Sequence, residues 1–414
     1  MRFFLNTKFH LQCPLLSMPF FLLLWPGGIW GVLVLLLIMW WKFSDHHRQH
    51  YVEAVKLLWH SALHRYFFWV VLAYLAWAIT DTLILKSSLN SIDNPVIFLL
   101  WCLTIPLIQR LIPQPVLLGY SFLLVLSFAL VIALVQFHFF NLNRAFGLYG
   151  NGLTGSGAIK FGDMALMFGV MTLILLFDQK FKFLGLLGLL LGLLICAYAS
   201  SRGGIFAMIL ALLVWRMIER DGSRVGMKTL GLLSIICLGV YGLNLLMGNS
   251  LLTRLLETKA EVENISAFKF SSPMGIRLNL WYLALIMFSE NPWLGVGLNN
   301  FDNALKTLSQ YNSVSDEALR YAHAHNEYLC ALATGGIVGF IITILLFILP
   351  IRIFWQDYYE SVWAKAGFWS VCLMSFFALT DCVFDRRMTV MAYIVLVSVC
   401  MAGVQEMKKL KNLC

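Results

Sequence analysis

The sequence predicts an all-α, polytopic integral membrane protein with about 12 transmembrane helices and one large extracytoplasmic loop that contains short helices. Hydrophobic residues make up 60% of the 414 residues, and charged residues make up only 12%. Mean hydropathy is +0.80. Apolar runs of about 20 residues, the length that crosses a bilayer as a helix, recur along the chain. A soluble domain of this size could not bury that much apolar surface.

The formal net charge is +9 at pH 7, and the basic residues gather between the apolar runs. Cytoplasmic loops rich in Lys and Arg explain this excess. No segment could form a basic face on a folded domain, so nucleic acid is not an expected partner. The nine cysteines include no C-x-x-C pair and lie mostly in apolar runs, which favours packing roles. Cys330 and Cys382 could approach each other on one side of the membrane.

The first apolar run, 15–41, is interrupted by Trp25-Pro26-Gly27-Gly28, which predicts a hairpin of two short spans, with one kinked span as the alternative. No small-residue cleavage site follows, so we expect an uncleaved span rather than a signal peptide. The basic stretch 42–65 predicts an interfacial helix, although its five histidines leave metal binding as an alternative. Further spans are predicted at 66–85, 95–111, 116–137, 159–177, 183–198, 205–218, 229–247, 329–349, 367–379 and 388–402.

These spans divide the chain into three parts. Residues 1–247 form an N-terminal bundle of about nine spans, 248–328 form the large outer loop, and 329–414 form the C-terminal spans and a cytoplasmic tail. With this count both termini lie on one side. The basic segments fall on that same side, which is therefore the cytoplasmic one.

Positive charge should be scarce on the outer face, so arginines there are informative, and two of them stand out. Arg202 follows Ser201 in a short connection, where it is either a functional cation or a snorkelling or capping side chain. Arg277 follows Pro273 and Gly275 near a predicted helix N-terminus, where free N–H groups and the helix dipole reinforce an anion site. An ordinary interfacial arginine is the alternative for Arg277.

The stretch 321–339 places several proton-handling groups immediately before an apolar run. His323, His325 and Asn326 lie at a membrane edge, where such groups are costly unless they are used. Histidine suits proton transfer near neutral pH, so His325 is a candidate general base. Helical spacing predicts that His325 and Leu329 share one face and that His323 points elsewhere. A capping or hydrogen-bonding role is the alternative for His325.

The other outer polar groups are weaker candidates. Arg144 lies in a loop rich in glycine and asparagine, and Lys160 follows that loop. Asp381 lies in the last outer loop, whose charged residues either pair with one another or complete a charged cavity; the others are Asp385, Arg386 and Arg387. Segment 251–263 predicts an amphipathic helix with a structural or lid role.

Several of these residues occur in longer motifs. His325-Asn326 is followed, after nine residues, by Gly336-Ile337-Val338-Gly339. Upstream stand Arg277 with Trp281, then Asn291-Pro292-Trp293-Leu294-Gly295-Val296-Gly297 and Asn300-Phe301. With the predicted topology, these motifs resemble the O-antigen ligases of bacterial lipopolysaccharide assembly. That family shares a domain with O-antigen polymerases and protein O-oligosaccharyltransferases.

The resemblance implies an inverting, metal-independent glycosyltransferase of the bacterial inner membrane, with no cofactor and an active site facing the periplasm. Its partners would be a glycan on undecaprenyl pyrophosphate as donor, lipid A–core as acceptor, and membrane lipids. His325 would be the general base, and Arg202 and Arg277 would bind the pyrophosphate in place of a metal. The supporting candidates are Asn326, His323, Arg144, Lys160 and Asp381.

Alternatives remain open at this point. An O-antigen polymerase would use the same donor but transfer the glycan to another lipid-linked repeat. The length of 414 residues without a large C-terminal soluble extension favours a ligase over a protein oligosaccharyltransferase. A transporter of lipid-linked sugars would need charges near the bilayer centre. Asp81 and Asp163 are the main candidates, although both could instead lie near an outer end of their spans.

Overall fold

The computed structural model describes residues 5–25, 28–42, 55–56, 59, 61–148, 157–177, 181–218, 273–310, 314 and 318–411. Within these ranges the chain is helical and contains no strand. The helices are α1 (Leu5–Leu24), α2 (Ile29–Lys42), α3 (Ala62–Ile84), α4 (Asp93–Leu111), α5 (Pro115–Leu134), α6 (Ala158–Phe177), α7 (Lys182–Tyr198), α8 (Arg202–Ile218), α9 (Pro273–Glu290), α10 (Phe301–Leu308), α11 (Glu327–Trp355), α12 (Val362–Phe377) and α13 (Arg387–Lys411). Short 3₁₀ segments cover Leu89–Ile92 and Ala318–Arg320, and a π-helical turn covers Val135–Phe139.

Six helices in the described part of the chain are long and apolar enough to cross a membrane: α3, α4 with its preceding 3₁₀ turn, α5 with its π turn, α6, α11 and α13. Segments within α1 and α2, together with α7 and α12, are shorter apolar helices. These helices support the predicted all-helical, polytopic integral membrane protein. The total of about 12 spans stays a prediction.

The predicted break in the first apolar run is confirmed, because α1 ends at Leu24 and α2 begins at Ile29. Three other predicted features lie wholly or mostly outside the described residues. They are the interfacial helix within 42–65, the span 229–247 and the amphipathic helix 251–263.

The helix ends gather in two layers. At the upper end, Arg387 of α13 pairs with Asp93 of α4, and Asn94 donates to the Phe384 carbonyl at 2.7 Å. At the lower end, Lys408 Nζ lies 2.7 Å from an Asp357 carboxylate oxygen. Lys411 pairs there with Glu360 at 2.8 Å, so the basic C-terminal turn of α13 lies against the α11–α12 connection.

The core beneath the upper end is aromatic. Every residue in the most apolar 18-residue stretch of α13 is buried. The Phe384 ring stacks on Phe347 of α11 with centroids 5.2 Å apart, and its edge meets Phe98 of α4 at 5.5 Å. Such ring contacts add to the free energy of burial. They support the loop between α12 and α13 from below.

A kink in α11 explains the glycine-rich motifs. Gly336 has φ +58° inside the helix, which leaves carbonyls of the preceding turn available. Val296 N donates to the Ala333 carbonyl at 2.9 Å, and Gly297 N donates to Thr334 at 3.0 Å. A Cβ on Gly336 would overlap the Trp293 carbonyl. Segment 291–297 therefore docks by its backbone into the kink.

A second apolar core lies above this kink. It joins buried side chains of α9, among them Leu280 and Leu283, to Phe301 and Leu305 of α10 and to Ala333 of α11. The segment 273–308 is thus packed on α11. This packing brings the chain around Arg277 close to the residues that precede α11.

Candidate functional site

The upper end contains a buried carboxylate between a histidine and a lysine. His325 Nδ1 lies 3.2 Å from Asp381 Oδ1, and Lys160 Nζ lies 3.6 Å from Asp381 Oδ2. The exposed fractions of the three side chains are 16% for His325, 6% for Asp381 and 12% for Lys160. Lys160 also donates to the Cys382 carbonyl at 3.0 Å. Three helices, α6, α11 and α12, therefore meet at this group through their ends.

The charge of Asp381 fixes the role of the His325 ring. Burial by itself raises the pKa of Asp381, but the Lys160 ammonium and the hydrogen bond from His325 hold that pKa well below its ordinary range. Asp381 is therefore a carboxylate at neutral pH and accepts the Nδ1–H of His325. The other ring nitrogen, Nε2, is then the one that can take up a proton.

His325 lies in the turn before α11, with φ +51°. Asn326 is the N-cap: its Oδ1 accepts from Leu329 N at 3.1 Å, and its Nδ2 donates to the Leu379 carbonyl at 3.1 Å. The predicted helical face shared by His325 and Leu329 is wrong, because the cap starts the helix after His325. The prediction that His323 points elsewhere is also wrong, because its ring contacts the His325 ring. A left-handed non-glycine residue costs about 1–3 kcal/mol, and such strain clusters at functional sites.

Glu327 ties the same turn to the loop that carries Asp381. Its backbone N–H donates to the Ala378 carbonyl at 2.8 Å, and its carboxylate accepts from Phe384 N at 3.0 Å. These bonds lie on either side of Asp381 in the sequence. They hold the Asp381 carboxylate in place beside the His325 ring.

His323 packs on the His325 ring, with centroids 4.4 Å apart and planes at 77°. Its Nδ1 accepts the His325 backbone N–H at 3.3 Å, and its Nε2 lies 3.9 Å from Asp385. Burial, together with the neighbouring His325, lowers the pKa of His323 to about 4. His323 is therefore neutral at pH 7 and shapes the surroundings of His325.

The charged residues of the loop between α12 and α13 pair only partly with one another. Arg386 Nε lies 3.0 Å from Asp385, which agrees with the prediction that charged residues of this loop pair with one another. Arg387, however, pairs with Asp93 of α4. Asp381 faces His325 and Lys160 instead, so the loop contributes to a charged site.

The α7–α8 turn places Arg202 at the upper end of the protein. Ser201 Oγ donates to Asp163 Oδ1 at 2.5 Å and accepts from Gly204 N at 3.2 Å, which caps α8. Arg202 is the first residue of α8 and is exposed. A Cβ on Gly203 would overlap the Thr380 hydroxyl. The start of α8 therefore packs against the residue immediately before Asp381.

Arg277 lies in the second turn of α9 and is half-buried, so the predicted position near a helix N-terminus is confirmed. Its guanidinium interacts electrostatically with Asp163, a buried carboxylate that also feels Lys160 and Asp381. Lys160 and Arg277 thus surround one pair of carboxylates. In formal charge, these two cations balance the two carboxylates beside the His325 turn.

Arg144 lies in a loop that contacts the end of α7. The next residue, Ala145, donates its backbone N–H to the Tyr198 carbonyl at the end of α7, at 2.9 Å. Gln136 in the π turn holds the same loop through Gly147 and Phe146. Arg144 is therefore a neighbour of the turn that carries Arg202.

A cavity of about 440 Å³ opens beside His323. Aromatic side chains of Tyr74, Trp77 and Phe301 line it together with polar groups from the α3–α4 connection. Trp77 Nε1 is buried and has no hydrogen-bond partner among the described residues. Aromatic rings next to amide and hydroxyl groups suit the faces and edges of a sugar.

His323, His325 and Asp381 could also offer three ligand atoms to a metal ion, since those atoms lie within 4.8 Å of one another. Lys160 stands 3.6 Å from the same Asp381 carboxylate. Its ammonium already supplies the positive charge that this carboxylate attracts, and it would repel a divalent cation. The donor set therefore fits a lysine-neutralised carboxylate better than a metal centre.

Some residues of the site carried a weaker sequence signal. Asp163 stands three residues after Lys160, on the same face of α6, a spacing that marks a charged helix face inside an apolar span. Asp163 lies in the second turn of α6, and Asp81, near the end of α3, accepts the Leu298 N–H at 3.0 Å. Both acids proposed for a transporter therefore lie at the upper end.

Comparison with known proteins shows a similarity to one protein family and to one bacterial protein. Residues 187–344 match a family model described as O-antigen ligase. The matched segment includes Arg202, Arg277 and the His323–Asn326 turn, whereas Lys160 and Asp381 lie outside it. The chain is also similar to an uncharacterized protein from Haemophilus influenzae, at 23% identity over 284 residues. The similarity covers 65% of this chain and 67% of that protein.

Proposed function

We propose that this protein, which belongs to the O-antigen ligase family through residues 187–344, is an O-antigen ligase of the bacterial inner membrane. It would transfer a glycan from undecaprenyl pyrophosphate to a sugar hydroxyl of lipid A–core. The observation that carries the proposal is the His325–Asp381–Lys160 group beside two arginines at one end of the helices.

Charge supports a periplasmic position for the upper end. The lower end carries Lys408, Lys409 and Lys411 in the last turn of α13. Positive charge next to membrane spans is retained in the cytoplasm. With the lower end in the cytoplasm, His325 and the cavity face the periplasm, where the lipid-linked donor would be presented.

The proposed reaction is a single displacement. Nε2 of His325 removes the proton from the acceptor hydroxyl while the hydroxyl oxygen attacks the anomeric carbon. The bond between that carbon and the pyrophosphate oxygen breaks, and undecaprenyl pyrophosphate leaves with the electron pair. The Asp381 carboxylate stabilises the imidazolium that forms, as a buried carboxylate does in other histidine bases. Attack opposite to the leaving group inverts the anomeric carbon.

Arg202 and Arg277 would bind the pyrophosphate. Negative charge accumulates on this group as the glycosidic bond breaks, so fixed guanidinium groups stabilise the transition state more than the bound donor. Each such contact is worth about 3–4 kcal/mol in comparable sites. Lys160 adds positive charge from α6, and Arg144 lies close enough to the turn to extend the same field.

The 440 Å³ cavity is the proposed acceptor site. It reaches His323, whose ring contacts His325, so a sugar seated there would present a hydroxyl near the base. Asn326 would act indirectly: it caps α11 and so fixes the turn that positions the His325 ring.

The test is transfer in vitro with purified components. Full-length protein is incubated with an undecaprenyl-pyrophosphate glycan and with lipid A–core, with and without EDTA. We expect the glycan to be joined to core at equal rates in both samples. Loss of transfer in EDTA, restored by a divalent metal, would overturn the metal-independent mechanism.

The same assay separates the rival functions. Longer lipid-linked glycans without product on core would identify an O-antigen polymerase. Transfer to neither acceptor, with movement of the donor across a proteoliposome bilayer, would identify a transporter. The position of Asp81 and Asp163 at the upper end of their helices favours an enzyme over a transporter, which would need charges at the bilayer centre.

A further inference from the structure

Two cysteines meet beside the proposed base. Cys330 Sγ lies 2.9 Å from Cys382 Sγ, although the residues are 52 positions apart. Cys330 is in the first turn of α11, four residues after the Asn326 cap, and Cys382 directly follows Asp381. A disulfide bond measures about 2.05 Å, so a shift of about 0.9 Å would bring the sulfurs to bonding distance.

Cys330 and Cys382 both line the 440 Å³ cavity, so a thiol reagent can reach them through it. The two thiols differ in reactivity. Cys330 is partly exposed, and its Sγ accepts the Ala324 backbone N–H at 3.2 Å. Cys382 is buried, and burial together with Cys330 raises the pKa of its thiol well above the ordinary value. Cys330 is therefore the thiol that attacks first.

We propose that Cys330 and Cys382 form a disulfide bond that holds the Asp381 loop against the His325 turn. The inference rests on the proposed function, which places this end of the protein in the periplasm, where disulfides form and persist. In the reduced state, hydrogen bonds from Glu327 and the stacking of Phe384 on Phe347 connect the Asp381 loop to α11 without a covalent link. The covalent link would restrict the Asp381 carboxylate to positions within reach of His325.

The bond would form by thiol–disulfide exchange with the protein disulfide of an extracytoplasmic thiol oxidase. The Cys330 thiolate attacks one sulfur of that disulfide and releases the oxidase's other sulfur as a thiolate. Cys382 then attacks Cys330 Sγ in the mixed disulfide and loses its proton to solvent. Two electrons pass to the oxidase, which leaves as a dithiol.

The first test is peptide mapping of the full-length wild type in membranes. Cells are quenched in acid, all thiols are blocked with N-ethylmaleimide in denaturant, and peptides are compared before and after reduction. We expect a linked pair containing Cys330 and Cys382 that separates on reduction. Cys102 and Cys372, buried in α4 and α12, should carry the maleimide throughout. Maleimide on both Cys330 and Cys382 in the unreduced sample would overturn the proposal.

The second test separates positioning from simple stabilisation. Dithiothreitol should lower the kcat of the wild type on the order of 10-fold and leave the KM for the donor unchanged, because misplacing a catalytic group slows the reaction without weakening binding. A Cys330→Ser/Cys382→Ser variant should be slow and insensitive to dithiothreitol. Reduction that leaves kcat unchanged would contradict the positioning role.

The two proposals fail in different ways. Free thiols in a protein that still joins glycan to core would contradict the disulfide and leave the ligase function intact. A linked peptide in a protein that transfers nothing to core would contradict the ligase function, while the disulfide would stand.

Discussion

Asp381 Oδ1 lies 3.2 Å from His325 Nδ1 across 56 positions of sequence, and the two residues belong to different loops. His325 lies within the segment that matches the O-antigen ligase family, whereas Asp381 lies beyond its end at residue 344. The pairing makes the Asp381 loop part of the site. It also leaves Nε2 of the His325 imidazole as the nitrogen that can take up a proton.

Replacing Asp381 with Asn tests this pairing. Asp381→Asn keeps the shape of the side chain but removes the charge that orients and stabilises the His325 imidazolium. We expect kcat to fall about 100-fold or more, in line with the contribution of a general base, with a small change in the KM for the donor. Initial rates of transfer at saturating substrates measure this effect.

Asp302→Asn is the matched control for that experiment. Asp302 is an exposed carboxylate of α10 that pairs with Lys306 at 3.5 Å. Exposed ion pairs are worth about 1 kcal/mol or less, so its rate should stay within about fivefold of wild type. Equal rates for the Asp381 and Asp302 variants would show that Asp381 does not act on the base.

Arg277 provides a test of pyrophosphate binding. Arg277→Ala should lower kcat/KM for the donor on the order of 100-fold, because a fixed guanidinium no longer meets the leaving group. Arg277→Lys should recover only part of the loss, since lysine keeps the charge but lacks the planar fork. Arg320→Ala, an exposed arginine in the 3₁₀ segment before the His323 turn, serves as control. Unaltered inhibition of Arg277→Ala by inorganic pyrophosphate would contradict the assignment.

The kink in α11 predicts an effect on stability. Gly336→Ala should lower the thermal unfolding temperature, because a positive φ costs a non-glycine residue about 1–3 kcal/mol and the new methyl group would overlap the Trp293 carbonyl. Gly31→Ala in α2 is the control, since nothing lies within 4 Å of its Cβ position. Circular dichroism in detergent measures both variants. Identical unfolding temperatures would show that segment 291–297 does not dock on the kink.

His323 predicts a dependence of stability on pH. Burial lowers its pKa to about 4 in the folded protein, against 6.5 for a free histidine. Between these values the unfolded chain binds more protons, so stability falls as pH falls from 6.5 towards 4. The stability from the Asp381 carboxylate, whose folded pKa is depressed, is lost only below the ordinary aspartate value of about 4.

We therefore expect the thermal unfolding temperature of the wild type to fall as pH falls from 6.5 towards 4. In His323→Gln, the unfolding temperature should fall less over the same pH range. A histidine control is His138→Gln, an exposed position on the π turn that should keep the wild-type slope. The same slope for His323→Gln and wild type would contradict the neutral state assigned to His323.

Local patterns predicted the features that depend on neighbouring residues. The break after Leu24, the helix start before Arg277 and the polar turn before α11 all follow from proline, glycine and apolar periodicity over a few residues. The pairing of His325 with Asp381 and Lys160 depends on how α6, α11 and α12 pack. No local rule carries that information, so the sequence could only place these residues on the same side.

The helical face predicted for His325 failed for a related reason. Asn326 can continue a helix or cap it, and the choice depends on the Leu379 carbonyl that its amide reaches 53 residues away. The glycine motif behaves in the same way. The sequence identifies Gly295 and Gly336 as residues that interrupt regular helix. Only the structure shows that segment 291–297 docks into the kink that Gly336 makes in α11.

The most direct test of the account is the transfer rate of His325→Ala at saturating donor and acceptor, beside His138→Ala as a histidine control at the same end of the protein. We predict a rate about 100- to 10,000-fold below wild type for His325→Ala, with the lipid-linked donor still bound, and a rate close to wild type for His138→Ala. A folded, inserted His325→Ala protein that joins glycan to core at the wild-type rate would contradict the mechanism.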